Sequence, residues 1–116
     1  MNSDELKERT MVFAVRVLRM ADAISSTVSG QTIAKPVARS GTSVAANYRA
    51  ALRGKSRADF VNKVTIVLEE ADETEFWIDL GERMGAVDGS KVEGLRQEAG
   101  ELIRIFAATR RTARQS

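Results

Sequence analysis

The sequence contains no cysteine and no histidine. Without cysteine there can be no disulfide and no thiolate-ligated metal, and the redox compartment is left open. Without histidine there is no Ser-His-Asp triad, no imidazole acid-base catalysis, no His-bound zinc and no Glu-x-x-His pair of the di-iron bundles. An active site would have to be built from carboxylates, lysine, arginine, hydroxyls or the one tyrosine, Tyr48. Aromatic residues make up 5% of the chain, and proline occurs once, at Pro36. Long apolar runs are missing too: the stretch MVFAVRVLRM is broken by Arg16 and Arg19, and MNSDELKERT carries acids where a secretory signal has a basic start. Neither a signal peptide nor a membrane span fits, so the expectation is a cytoplasmic protein of bacterial type with no membrane partner. No metal or cofactor motif stands out, and none is expected.

What is present is a helical rhythm. One continuous apolar pattern over 116 residues reads as a single domain, able to bury roughly two thirds of its unfolded surface. Turn signals at 25–30 (SSTVSG), 53–56 (RGKS) and 85–89 cut it into helices expected at about 3–27, 31–53, 57–84 and 90–112. Ser3 is the expected cap of the first helix. Ser56 with Asp59, and Ser90 with Glu93, have the spacing of capping boxes, and Gly85 sits where a left-handed residue closes the third helix. Pro36 either starts the second helix or kinks it.

Leu6, Thr10, Phe13, Val17, Met20 and Ile24 form one stripe spaced by threes and fours. Phe60, Val64, Val67, Ala71, Thr74 and Ile78 form another, as do Val92, Leu95, Ala99, Leu102, Phe106 and Thr109. This is bundle spacing, and short connections make neighbours antiparallel, so the expected fold is an all-α, up-down-up-down four-helix bundle.

The third helix carries a second stripe of Ile66, Glu73, Trp77, Leu80 and Met84, and the first a weaker one of Met11, Val15 and Leu18. One bundle cannot bury both faces, and for so short a chain the most economical neighbour is another copy of itself. Trp77, the only tryptophan, is the expected anchor of that homo-oligomer interface. The second helix is rich in Ala, Ser and Gly, which lets other backbones approach. Arg39, Ser43 and Asn47, spaced by four, are expected to form a buried polar network that fixes helix register, with Arg39 seeking Glu70 or Glu73.

The segments RSGTSVAANYR, SRADFVNK and VLEEADETEFWIDL, with the LKERT-x-x-FA-x-R opening and IFAAT near the end, resemble the bacterial four-helix bundle proteins encoded in intervening sequences of large-subunit ribosomal RNA genes. The resemblance covers nearly the whole chain. It implies an antiparallel bundle assembling as a ring, typically a homopentamer, with no established enzymatic activity. It extends to the accessory variability determinant of diversity-generating retroelements, a pentameric bundle whose basic surface binds nucleic acid and a reverse transcriptase. Two departures stand out: Ala50-Ala51 replaces the Glu-Ala that usually follows NYR, and Pro36 falls in a stretch that is usually free of proline.

Net charge is only +2, but it is segregated. From Lys35 to Lys63 there are seven Lys or Arg against Asp59 alone, and from Ile66 to Glu101 eleven acids against Arg83, Lys91 and Arg96. Up-down topology gathers Lys7, Arg9, Arg49, Arg53, Lys55, Arg57, Arg110, Arg111 and Arg114 at one end, with Asp4, Glu5, Glu8 and Asp59 as its acids, and Glu75, Asp79, Glu82, Asp88 and Glu93 at the other. Arginines at helix C-termini also offset the helix dipole. In a ring, symmetry would merge such ends into one positive face suited to phosphate backbones of structured RNA or DNA, with little sequence readout. Arg49, Arg53, Lys55, Arg57, Arg110, Arg111 and Arg114 are therefore the expected nucleic-acid contacts, and only Tyr48 is in range as a stacking platform. A protein-protein scaffold is the alternative. A third reading takes Glu69, Glu70, Glu73, Glu98 and Glu101 as a Mg²⁺-binding constellation of a nucleotide pyrophosphatase, but on ideal helices Glu69 and Glu73 point away from the bundle core and Glu101 points outward, and the final acid of such a motif is usually Asp.

Overall fold

A computed structural model describes residues 1–116. It contains α1 (Ser3–Asp22), α2 (Val28–Leu52), α3 (Arg57–Arg83) and α4 (Gly89–Gln115), and no strand. The particle is long and narrow, 46 × 22 × 20 Å. Its long dimension matches α3, whose 27 residues at about 1.5 Å each span about 40 Å.

Local chemistry places the helix ends, and it does so a little differently from the sequence expectation. Asn2, not Ser3, caps α1, accepting a hydrogen bond from the Glu5 amide at 2.8 Å. The helix stops at Asp22 rather than near 27, because Ile24 turns back into a small apolar cluster with Ile33 and Ala34. Thr27 then caps α2 through the Gly30 amide at 3.0 Å, so α2 begins at Val28 rather than 31. Gly30 is required in that turn, since a Cβ there would lie 2.1 Å from the Ser25 carbonyl oxygen. Pro36 is two turns inside α2 and does not start it. Ser56 caps α3 by accepting from the Asp59 amide at 3.1 Å, while the Asp59 carboxylate reaches the Lys55 amide instead of closing a capping box. Gly85, at φ 71°, follows α3 in the left-handed region, and the Ala86 amide returns to the Gly81 carbonyl at 2.9 Å. Asp88, not Ser90, caps α4, accepting from both the Ser90 amide and its hydroxyl.

The apolar stripes meet in one core. Phe13, Val17, Val37, Val44, Val64, Val67, Ala71, Ile78, Ala99, Leu102 and Phe106 are sealed from solvent. Each large side chain buried this way contributes about 1.5–3 kcal/mol. Ser40 and Thr74 share the only hydrogen bond between fully buried side chains of different helices, at 2.8 Å. One level away, Gly81 of α3 faces Ile33 of α2. Gly41 lets α2 close onto α1: a Cβ there would sit 2.5 Å from a Val17 methyl. The seams differ in tightness. α1 lies along α2, α2 along α3 and α3 along α4, whereas α1 and α4 approach closely at few points. Across that open seam Arg9 clamps Glu98 with two hydrogen bonds of 2.7 Å and reaches Glu101 at 3.5 Å.

Candidate nucleic-acid interface

The basic cluster is built on the turn between α2 and α3 and on the last turns of α4. Arg53 is the C-terminal cap residue of α2, Gly54 and Lys55 form the turn, and Arg57 opens α3. The turn is fixed by the Ser56 cap and by Asp59, whose carboxylate accepts from the Lys55 amide at 3.2 Å and pairs with Lys63 at 3.4 Å. Those partners, the Lys55 amide first and Lys63 next, hold the Asp59 carboxyl below its usual range. Asp59, the acid at the turn itself, is therefore already committed, while Asp4, Glu5 and Glu8 lie at the start of α1.

Arg57 and Arg114 line the same shallow cleft, with Ala58, Val61 and Asn62 between them. A neighbouring groove brings Met1 of the N-terminus against Phe60 of α3 and Ile105, Thr109 and Thr112 of α4. The start of α1, the α2–α3 turn and the end of α4 thus share one region. Arg49, Arg53, Lys55, Arg57, Arg111 and Arg114 are exposed and Arg110 is half-buried. None of these makes an ion pair, whereas Arg9, Arg39, Lys63, Arg83 and Arg96 all do. The cations grouped by sequence are therefore among those without an ion-pair partner, as are Lys7, Arg16, Arg19, Lys35, Lys91 and Arg104. Arg9, counted with them by topology, is neutralised by Glu98 and Glu101.

Tyr48 is 4% exposed and packs its ring against Phe106 at 5.2 Å, so it offers no stacking surface. Burial first, and Asp4 second, push its phenol upward, and it stays neutral. Phe60, partly buried beside the cluster, is the aromatic nearest to being available, and the apolar pattern concealed it as a core position.

The polar network on α2 is neither buried nor continuous. Arg39 is 55% exposed at its side chain and donates to Glu70 at 2.9 Å and Glu73 at 2.5 Å. Asn47 bonds the Ser43 hydroxyl and carbonyl, and this pair does not join Arg39. The polar lock inside the bundle is instead Ser40 with Thr74. Glu73 also accepts from Trp77 Nε1 at 3.1 Å, and that bond, with Arg39 next, holds its carboxyl below the usual value.

Along the second stripe of α3, Ile66 and Met84 are exposed, while Glu73, Trp77 and Leu80 are half-buried. Trp77 is not a free anchor: it packs on both apolar clusters and meets Phe76 edge to face at 4.9 Å. Phe76, which lies off that stripe, is the exposed aromatic at 56%. On α1, Met11, Val12, Val15 and Leu18 are exposed together. The acids of the pyrophosphatase reading are split, with Glu70 and Glu73 on Arg39 and Glu98 and Glu101 on Arg9, and no three acidic side chains are grouped so as to hold a metal ion. No helix is long and apolar enough to cross a membrane.

Residues 3–108 match the model of the family described as 23S rRNA-intervening sequence protein. A crystal structure from Bacteroides thetaiotaomicron VPI-5482, described as a protein with unknown function from the S23 ribosomal protein family, superposes with a TM-score of 0.87 at 32% identity, covering 96% of this chain and 99% of that one. No curated protein matches the chain.

Proposed function

The chain belongs to the 23S rRNA-intervening sequence protein family, and from that footing we propose that it is a non-enzymatic, homo-oligomeric bundle whose basic end binds structured RNA. The observation that carries this reading is the set of unpaired cations: Arg49, Arg53, Lys55, Arg57, Arg110, Arg111 and Arg114 share one region and lack carboxylate partners. A phosphate backbone supplies the missing charge, and the buried Tyr48 leaves no platform for base stacking. Duplex DNA presents similar chemistry, with the wide minor groove and 2′-hydroxyls of RNA as the difference. An RNA partner of this kind places the protein in the cytoplasm.

The helices run antiparallel, up-down-up-down. Support for this course comes from two pairs of neighbours: Ser40 meets Thr74 while Ile33 meets Gly81, between α2 and α3, and Arg9 meets Glu98 while Arg16 meets Gly94, between α1 and α4. The assembly is a ring, and a pentamer by family resemblance. It is supported by two dissimilar apolar patches, Met11, Val12, Val15 and Leu18 on α1 and Ile66 and Met84 with Trp77 and Leu80 on α3. Two different patches favour a head-to-tail contact, which closes into a ring, over a two-fold dimer that uses one patch twice. The same patches favour the alternative reading, a scaffold that binds another protein and no nucleic acid.

Fluorescence anisotropy with a structured RNA decides between the two. The wild type should bind with an affinity that falls with salt, by a log-log slope of about 0.7–0.9 per phosphate neutralised. Joint replacement of Arg49, Arg53, Lys55 and Arg57 by Gln should flatten the slope and lower the affinity at least about tenfold, with the native mass unchanged. Wild-type affinity in that variant, or no binding at low salt, would leave the scaffold reading.

A further inference from the structure

The open seam between α1 and α4 has a groove at the end remote from the RNA-binding cluster. It is formed by Arg16, Arg19, Met20 and Ala23 of α1, Val87 and Asp88 of the α3–α4 turn, and Lys91, Val92 and Leu95 of α4. Its volume of about 330 Å³ is at the small end of ligand pockets, which run from roughly 300 to 1,000 Å³. Its floor is apolar, because Met20, Val92 and Leu95 are the buried edge of the core. Its rim is cationic. Arg16, Arg19 and Lys91 are exposed, and none has an ion-pair partner, in a half of the molecule where Arg83 and Arg96 are both paired with acids. The one acid in the lining, Asp88, spends its carboxylate on the amide and hydroxyl of Ser90. Arg16 is seated over α4 at Gly94, where an added Cβ would lie 3.2 Å from Nη2, so the absence of a side chain there makes room for the guanidinium.

We propose that this groove binds a small amphiphilic anion, its carboxylate or phosphate held by Arg16, Arg19 and Lys91 and its short apolar body lying on Met20, Val92 and Leu95. The lining matches both halves of such a ligand. An inorganic anion would leave the apolar floor wet, and a neutral apolar molecule would leave the cations without a partner. The site is separate from the basic end: Leu95 and Arg110 are fifteen residues apart on α4, about 22 Å at 1.5 Å per residue. It does not depend on RNA binding, and occupancy should leave RNA affinity unchanged.

Isothermal titration of the full chain with octanoate and with octyl phosphate tests it, using octanol and inorganic phosphate as half-ligands. Octanoate, octyl phosphate or both should bind saturably with a Kd below about 1 mM, and whichever binds more tightly identifies the head group. Octanol and phosphate should each bind at least tenfold more weakly. The Arg16→Gln/Arg19→Gln variant should lose at least tenfold in affinity. Gly94→Asp, which places a carboxylate beside Arg16 and leaves every cation in place, should do the same, and Lys91→Gln serves if either proves unfolded by circular dichroism. No binding of either amphiphile, equal binding of a half-ligand, or unchanged binding in folded variants would overturn the proposal.

Discussion

At the scale of single residues, the closest approach of one helix to another at a glycine is Gly41 against Val17. A Cβ added at Gly41 would lie 2.5–2.9 Å from the Val17 side chain, inside van der Waals contact. Gly41→Ala gains about 1 kcal/mol of helix propensity but forces α1 and α2 apart, and overpacking of this kind costs about 1–3 kcal/mol. The expected net result is a less stable protein by urea denaturation. The Gly41→Ala/Val17→Ala double variant should be less destabilised than the sum of the two singles, since Val17→Ala removes the clashing methyls. Sequence reading recognised the small residues of α2 as places of close approach. It could not name Gly41 as the position that needs one, because that depends on the register of α1 against α2. Arg39 shows the same limit: its partners Glu70 and Glu73 could be anticipated from charge and spacing, but its exposure could not.

Glu73 makes a second residue-scale prediction. Its carboxyl is held low by the Trp77 indole N–H and by Arg39, so its folded value lies below the ordinary 4.5. A group depressed in the folded state stabilises fully above its unfolded value and loses that contribution as pH falls through the folded one. Thermal melting of the wild type should therefore drop below about pH 4.5 more steeply than that of Glu73→Gln. Parallel curves for the two proteins would contradict the assigned role.

At the scale of elements, the helices follow from apolar spacing while their ends follow from competition between adjacent capping residues. Asn2 stands beside Ser3 and Asp88 near Ser90, and each of these can cap, so the sequence pattern locates the end of a helix without selecting the residue. Asp88→Ala should cost about 1 kcal/mol, read as a lower urea midpoint, because it strips the acceptor from both the amide and the hydroxyl of Ser90. The stripes on α1, α3 and α4 were legible because buried positions repeat by threes and fours, and the structure buries nearly all of them. The looseness of the α1–α4 seam was not legible. It arises from how four helices of unequal length share one core, and Arg9 bridging to Glu98 and Glu101 is a contact between residues about ninety apart in the chain. The groove at Arg16, Arg19 and Lys91 was missed for that reason: in sequence these cations lie on two separate helices, and two of them interrupt an apolar run.

At the scale of the whole molecule, unpaired charge and exposed apolar surface are distributed over different parts of the bundle. The arginines and lysine around the α2–α3 turn and the end of α4 lack ion-pair partners, while the acids of α3 and α4 are either paired or solvated along the sides. The exposed apolar residues of α1 and α3 differ in composition, and the proposed ring would use them as its two unlike contact faces. Segregation of charge was readable from sequence, because the basic and acidic runs are consecutive. The loss of Arg9 from the basic face and the burial of Tyr48 were not, since both depend on contacts across the bundle.

Native mass spectrometry of the protein titrated with a structured RNA hairpin tests the central claim most directly, because it reports assembly and RNA binding in one spectrum. The expected result is a species at a fixed multiple of the 12.7 kDa chain, five by family resemblance, that gains RNA mass at low salt. The variant with Arg49, Arg53, Lys55 and Arg57 replaced by Gln should show the ring alone. A spectrum of single chains, or an intact ring that never gains RNA mass, would contradict the account.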